Sequence, residues 1–158
     1  MTPTPGGLTD ELSRRHRTAT IFVIGFLALN FVLLVIAYLA AERIGRPGDP
    51  SIIMAIWIAI LVFGLGAFVL RRTRFSAMRL KDIAALRGTS GLLKTLQDTT
   101  IQLALLGGAI ALMGFVWAML TRDWTNMLRA AGVSVILLIY GFPSRSAWEK
   151  VTRQLTTE

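Results

Sequence analysis

The sequence predicts an all-α membrane protein whose four transmembrane helices form two antiparallel hairpins. Three apolar stretches contain no Asp, Glu, Lys, Arg or Pro. Each is long enough to cross a bilayer, because about 20 helical residues at roughly 1.5 Å each span a hydrocarbon core of about 30 Å. Most polar residues are segregated into two tails and three connectors, whereas a soluble domain interrupts its apolar runs every few residues. The predicted spans are residues 19–41, 51–70, 101–120 and 127–142.

One membrane domain, residues 19–142, accounts for most of the 158 residues. Residues 1–18, with their early prolines and glycines, are expected to be a mobile basic cytoplasmic tail, and residues 143–158 a cytoplasmic C-terminal tail. The first span follows basic residues and ends in small ones, as a signal peptide does. Its apolar region exceeds the usual length of about 7–15 residues, so we expect it to be retained.

The connectors differ in length. Residues 42–50 contain two glycines and two prolines, and residues 121–126 are equally compact, so each outer pair of spans is expected to form an antiparallel hairpin. The connector 71–100 is longer. Its first part, 71–87, has no Gly or Pro and favours a helix, whereas Gly-Thr-Ser-Gly at 88–91 should break it. We therefore expect a cytoplasmic helix–turn–helix extension between spans two and three.

The fourth span is the least regular. Residues 127–142 number only 16, about 24 Å of helix, and they include Arg129. This arginine lies near the outer end, where its long side chain can reach the headgroups. We expect the segment to cross, because Trp148 and the basic C-terminal residues would otherwise lie outside. A re-entrant segment is the alternative.

The charges predict the orientation. The net charge is +8, and 13 of the 17 Lys and Arg residues fall in the two tails and the connector 71–100. The positive-inside rule then places both termini and this connector in the cytoplasm. The aromatic residues agree, since amphipathic rings favour the headgroup level at both membrane surfaces. They are Tyr38, Trp57, Trp117 and Trp124 toward the outer ends, and Tyr140 and Trp148 at the cytoplasmic exit.

The basic composition does not indicate nucleic-acid binding. The anionic cytoplasmic leaflet explains the flanking arginines, and the basic connector offers only Phe75 as a stacking ring. Arginine outnumbers lysine 14 to 3, and Ala and Gly are abundant, which suggests a GC-rich bacterial genome. The expected surroundings are the bilayer of a bacterial cytoplasmic (inner) membrane.

No catalytic, cofactor-binding or metal-binding residues are expected. The chain has no Cys, and its one histidine, His16, lies among arginines without ligand partners, so we expect a solvated side chain. HExxH, GxSxG and nucleotide-binding glycine patterns are missing from the sequence. No span contains an interior Asp, Glu, Lys, His or Pro, which disfavours carriers. A membrane enzyme using Asp82, Asp98 or Glu149 at the cytoplasmic boundary is a third alternative.

The most specific pattern is a small-residue stripe along the third span. In lipid, small side chains let a second helix approach closely, so the stripe should pack within the bundle or bind another subunit, identical or not. A shorter stripe on the second span, Ala55, Ala59 and Gly66, could face it. The small-residue stripe consists of Ala104, Gly107, Ala111, Gly114 and Ala118.

Two polar residues lie near mid-membrane, Asn30 in the first span and Ser134 in the fourth. An unpaired amide is costly in hydrocarbon, so Asn30 is expected to face a helix partner. The amide either forms an interhelical hydrogen bond or contacts a ligand, pigment or ion. Ser134 can bond the preceding turn of its own helix.

Apolar residues of the segment 71–87 do not gather in one helical stripe, which favours contacts on more than one side. We expect Phe75, Met78 and Leu80, together with the small-residue stripe, to contact a partner. The sequence thus favours a non-enzymatic subunit, or an assembly and stabilising factor, of a larger bacterial membrane complex. The alternative is a self-associating small channel, holin-like pore or carrier, with Asn30 and Ser134 lining its path.

Overall fold

The structure, a computed structural model, describes residues 5–74, 77–146 and 148; only the backbone is described for 5–9, 77–85, 87 and 89. The described residues form four helices. These are α1 (Pro5–Ile44), α2 (Pro50–Arg74), α3 (Ala77–Thr121) and α4 (Trp124–Tyr140).

The predicted helical fold is confirmed for the described residues, and its helices have the length and composition of membrane spans. Three helical segments, Asp10–Ile44, Pro50–Arg74 and Ser90–Thr121, are long and apolar enough to cross a membrane. The fourth helix, α4, is apolar but shorter, with 17 residues, about 26 Å along its axis.

Contacts between segments distant in the sequence define two ends of the bundle, here called the loop end and the tail end. At the loop end, residues 45–49 contact the turn 122–123 between α3 and α4. At the tail end, the first turns of α1 meet the residues that follow α4, and the His16 Nε2 atom lies 2.7 Å from the Pro143 carbonyl oxygen. Helix α4 runs without a break from the loop end to the tail end.

Helix α3 is the centre of the bundle. The other three helices pack on it, whereas α1 and α2 barely touch among the described residues. On the α2 side, Ile60 and Ala67 are buried in one apolar cluster with Leu103 and Ile110 of α3. The bundle is therefore built around α3 rather than from two self-contained pairs of helices.

Close backbone contacts join the two connectors at the loop end. The Gly48 N–H donates to the Leu120 carbonyl at 2.9 Å, and Arg122 Nε donates to the Gly45 carbonyl at 2.7 Å. Glycine makes this approach feasible. A Cβ atom on Gly45 would lie 2.6 Å from the Met119 carbonyl oxygen, and one on Gly48 would lie 2.9 Å from Leu120 Cδ2. Larger residues at these two positions would push the connectors apart.

Helix α3 ends and α4 begins within two residues. Arg122 adopts a left-handed φ of 55°, and the Asp123 N–H returns to the Ala118 carbonyl at 3.2 Å, which closes α3 as in a Schellman motif. Asp123 then caps α4, since its Oδ1 accepts from the Thr125 hydroxyl at 2.7 Å and the Thr125 N–H at 2.9 Å. These donors, the hydroxyl first, hold the pKa of Asp123 below its ordinary value, and the charge of Arg129 adds to the effect.

The tail end contains a second packed core. Residues 1–18 were expected to form a tail, but α1 begins at Pro5, and an i,i+4 ion pair at 2.8 Å joins Glu11 to Arg15. Helical structure here buries apolar side chains of α1 against α3 and the segment after α4. The tail-end core consists of Leu12, Ala19, Leu92, Leu93, Leu96 and Trp148.

Helix α3 is interrupted at Gly88, whose φ of 65° and ψ of −173° are not helical. The sequence predicts a break over residues 88–91, and the structure limits the non-helical backbone to this one glycine, the residue type that reaches positive φ at no steric cost. The break separates an arm, residues 77–87, from the longer part of α3 that ends at Thr121.

Removal of the Asp123 cap should destabilise the protein in a pH-dependent way. We expect Asp123→Ala to lower the free energy of unfolding by about 1 kcal/mol, and Asp123→Asn, which keeps a side-chain acceptor, to lower it less. The folded-state pKa is depressed, so the carboxylate's contribution is complete above the unfolded pKa, about 3.9. It is lost as the pH falls through the folded value.

Thermal unfolding in detergent micelles at decreasing pH measures this effect. The difference between the wild type and Asp123→Ala should shrink toward acidic pH. A difference that stays constant would show that the carboxylate does not act as the cap.

Candidate functional site

All five members of the small-residue stripe face the inside of the bundle. Ala104, Ala111 and Ala118 are fully buried, and the two glycines between them are also buried. Their neighbours belong to α1 and α4: Ala104 shares a cluster with Val23 and Leu138. The stripe thus forms the surface on which α1 and α4 meet α3.

The two glycines of the stripe set the distance between α3 and α4. A Cβ atom on Gly107 would lie 3.0 Å from two carbon atoms of Leu138, and one on Gly114 would overlap the Cβ of Ala130. Close approach of this kind is how helices associate in lipid, where apolar contact alone gives little preference for protein over lipid. The stripe is thus used for packing within the bundle, the first of the two roles expected from the sequence.

The shorter stripe on α2 does not face α3. Ala55 and Gly66 are exposed, and no atom would lie within 4 Å of a Cβ on Gly66. The residues of α2 buried against α3 are instead Ile60 and Ala67. Residue size alone did not identify the packing face of α2, because nearly every residue of this helix is apolar.

Asn30 is buried without a polar contact. Its side chain is 2% exposed, and neither Oδ1 nor Nδ2 has a hydrogen-bond partner among the described residues. One turn before it, Phe26 packs on the cluster of Val23 and Ala104, and one turn after it, Leu33 belongs to the cluster of Ala111. Asn30 therefore lies where two apolar clusters between α1 and α3 adjoin, and the expected hydrogen bond to a neighbouring helix is not formed.

Ser134 makes the interhelical bond instead. Its Oγ donates to the Gly107 carbonyl oxygen at 2.7 Å, and the residue is fully buried. The sequence predicts a bond to the preceding turn of its own helix. Because Gly107 has no side chain, the α3 backbone is open to the serine hydroxyl. The bond joins α4 to α3 at the level of the small-residue stripe.

The tail-end core is surrounded by polar contacts between segments far apart in the chain. Glu11 accepts from Arg15 at 2.9 Å and from the Ser90 hydroxyl at 2.7 Å, and Arg15 also donates to Gln97 Oε1 at 3.2 Å. Together these bonds join the first turns of α1 to the part of α3 that follows Gly88.

His16 is not the solvated residue that the sequence predicts. Its Nε2 atom bonds the Pro143 carbonyl, and its ring meets Trp148 edge to face, with centroids 5.7 Å apart. The partners lie about 130 positions away in the sequence, so local pattern could not reveal them. The available signal was Trp148 itself, a large apolar ring in an otherwise polar tail, which is buried.

Aromatic pairs occur at both ends of the bundle. At the loop end Trp57 meets Trp117, with centroids 4.6 Å apart, and Tyr38 meets Trp124 at 5.2 Å. These four residues are the ones that the sequence assigns to a single membrane surface. Tyr140 and Trp148, assigned to the other surface, both lie at the tail end. Their rings contact Phe68 and His16, respectively.

The three apolar residues predicted to contact a partner near the arm lie outside the part of the chain whose side chains the structure describes. Phe75 lies outside the described residues, and Met78 and Leu80 belong to the part described by its backbone alone. Leu86, the arm residue with a described side chain, is 84% exposed. An apolar side chain of the arm is therefore on the surface, beyond the tail-end core.

The interface between Gly114 and Ala130 should accept one methyl group, from either residue, but not two. We expect Gly114→Ala to lower the free energy of unfolding by about 1–3 kcal/mol, because it inserts a methyl group into a filled interface. Ala130→Gly in the same chain should restore much of the loss, as it reopens the space. The control is Gly132→Ala, since a Cβ on Gly132 would meet nothing within 4 Å. Unfolding in mixed micelles measures the three variants, and equal loss in the single and double variants would contradict this packing.

The two buried polar residues should respond oppositely to apolar substitution. Ser134→Ala loses a hydrogen bond and should lower the free energy of unfolding by about 0.6–1.7 kcal/mol. Asn30→Leu removes two unpaired polar atoms at little change in shape and should leave the stability unchanged or raise it. The same unfolding assay compares them. A larger loss for Asn30→Leu than for Ser134→Ala would mean that Asn30 has a polar partner.

The described polar side chains act in packing and in joining helices. Within the described residues, no three or more His, Asp or Glu side chains lie together as metal ligands would. Comparisons with protein-family models, with curated proteins and with solved structures found no match for this chain. The helix interfaces, the tail-end core and the exposed arm are therefore the basis for a functional hypothesis.

Proposed function

We propose that the chain is a non-enzymatic integral membrane subunit, or an assembly and stabilising factor, of a larger complex in a bacterial cytoplasmic membrane. Its four helices cross the membrane in alternating directions, and both termini lie in the cytoplasm. The tail end, which includes a cytoplasmic helix–turn–helix around Gly88, is the part that a partner binds.

The charge distribution supports this orientation. The four basic residues outside the tails and the connector 71–100 are Arg43, Arg46, Arg122 and Arg129, and all lie near the loop end. The remaining 13 belong to the N-terminal tail, the connector 71–100 and the C-terminal tail, whose described parts lie at the tail end. An excess of basic residues is typical of the cytoplasmic side of a membrane protein, where the lipid leaflet is anionic.

The tail-end core is the observation that carries the proposal. Bundles that only cross a membrane need no second core beyond their apolar spans, yet this chain buries Leu12, Leu92, Leu93 and Trp148 there. The core fixes the base of the arm, and the arm carries Leu86 on its surface. A projection that carries an exposed apolar side chain is suited to bind another protein.

The burial of the polar residues weighs against the alternative of a pore. A channel or carrier formed by self-association would need Asn30 and Ser134 on a path that solute can reach. Both residues are at most 2% exposed, and Ser134 is bonded to the α3 backbone. The interior that they occupy is filled by apolar side chains of three helices.

Site-specific photo-crosslinking in native membranes tests the proposal. A photoreactive residue at Leu86 should link the full chain to one discrete, different protein. The matched control is Leu65, which is 67% exposed but lies in the middle of α2, where it should face lipid. Cross-links from Leu65 to the same protein would show that the contact does not depend on the arm.

Cross-links from Leu86 to a second copy of the chain alone would overturn the assignment to a larger complex. The purified protein would then be measured in planar bilayers. Conductance by a homo-oligomer would establish the pore instead.

A further inference from the structure

An open apolar groove of about 320 Å³ runs between α2 and α4 on the outer surface of the bundle. It exists because both helices pack on α3 while making few contacts with each other. Carbon atoms form almost all of its surface, and its side chains remain partly exposed apart from Leu137. The lining residues are Gly64, Phe68, Val133, Ile136, Leu137 and Tyr140.

The groove ends at a cation. The Arg71 guanidinium lies over the Tyr140 ring, 3.6 Å from its centroid, and donates a hydrogen bond to the Tyr140 carbonyl. Phe68 stacks on the same Tyr140 ring, with centroids 5.8 Å apart and planes 18° apart. This arrangement holds the arginine at the tail end of the groove, where α4 ends.

The surroundings of this arginine are positively charged. Arg72 and Arg74 complete the last turn of α2, and at about 100° per residue they project to either side of the face that bears Gly64 and Arg71. Neither α2 nor α4 contains an acidic residue. An anionic group at the end of the groove would therefore meet only positive charge from these two helices.

The length of the groove identifies its occupant. From Gly64 to Arg71, and from Val133 to Tyr140, the groove covers seven residues of helix, about 10 Å. This is roughly two thirds of one leaflet, whose hydrocarbon depth is about 15 Å. A helix of a partner protein would need a surface along the whole bilayer, whereas the lipid chain of one leaflet needs only this part.

We propose that the groove binds an anionic phospholipid of the leaflet at the tail end. One acyl chain lies against Phe68, Val133 and Ile136 and reaches toward Gly64. The phosphate of the headgroup lies beside Arg71, between Arg72 and Arg74. The site is separate from the arm, so it does not depend on the proposed partner contact.

Retention of lipid by the purified full chain tests this site. The protein is reconstituted in mixed phosphatidylglycerol and phosphatidylcholine of identical chain composition, extracted gently and weighed by native mass spectrometry. We expect one phosphatidylglycerol per chain, favoured over phosphatidylcholine by about fivefold or more, since this corresponds to the effect of one arginine on an anionic lipid.

Two glycines of α2 provide a matched pair of variants. A Cβ on Gly64 would lie 3.9 Å from Val133 Cγ1, an ordinary contact, and one on Gly66 would meet nothing within 4 Å. Gly64→Leu should fill the groove and abolish retention of the lipid. Gly66→Leu, which adds the same side chain two positions away on the exposed surface, should retain it. Equal retention by both variants would overturn the proposal.

The headgroup contact is tested by charge. Arg71→Gln should reduce the preference for phosphatidylglycerol, and Arg46→Gln, which removes one charge at the loop end, should not. Equal binding of the two lipids by the wild type would show that the site does not recognise an anion. If soluble glycerol phosphate competed with the lipid and Gly64→Leu retained the lipid as the wild type does, the arginines would bind a free anion. The groove would then not be the lipid site. If the wild type were an oligomer and Gly64→Leu a monomer, the groove would be assigned to a second copy of the chain.

Discussion

Alkyl side chains in a bilayer gain little from contact with each other, because lipid tails are equally apolar. The association of these helices therefore depends on how closely their backbones approach α3. Gly107 and Gly114 remove the side chains that would hold α4 away, and Leu138 and Ala130 occupy the space. The Ser134 bond to the α3 backbone is available only at this separation. Since α1 and α2 also pack on α3, the whole arrangement depends on this one helix.

The two ends of the bundle are held by different means. At the loop end, the Gly48 N–H donates to the Leu120 carbonyl and the Arg122 side chain donates to the Gly45 carbonyl, so little chain extends beyond the helices. At the tail end, side chains join segments from three parts of the sequence. They do so through an apolar core, hydrogen bonds from Ser90 to Glu11 and from Arg15 to Gln97, and a histidine–tryptophan contact. One end is thus closed and compact, and the other projects and carries most of the charge.

Features that depend on local sequence could be predicted. The apolar runs identify the helices long enough to span a membrane, and glycine at position 88 marks the break in α3. Features that depend on partners distant in the chain could not. From the sequence, His16 is predicted to be a solvated residue of a basic tail, whereas in the fold it contacts Trp148. The roles of Asn30 and Ser134 depend on which face of each helix meets α3, and uniformly apolar helices give little periodicity from which to infer that face.

The central position of α3 bears on how such a chain enters a membrane during synthesis. The first two helices leave the ribosome before α3, and they have almost no contact with each other in the finished fold. Until α3 arrives, the face of α1 that carries Ala19, Val23 and Asn30 has no protein to cover it, and the amide of Asn30 must be accommodated by lipid, water or the insertion machinery. The first two helices can therefore reach their final packing only after the second half of the chain has been inserted.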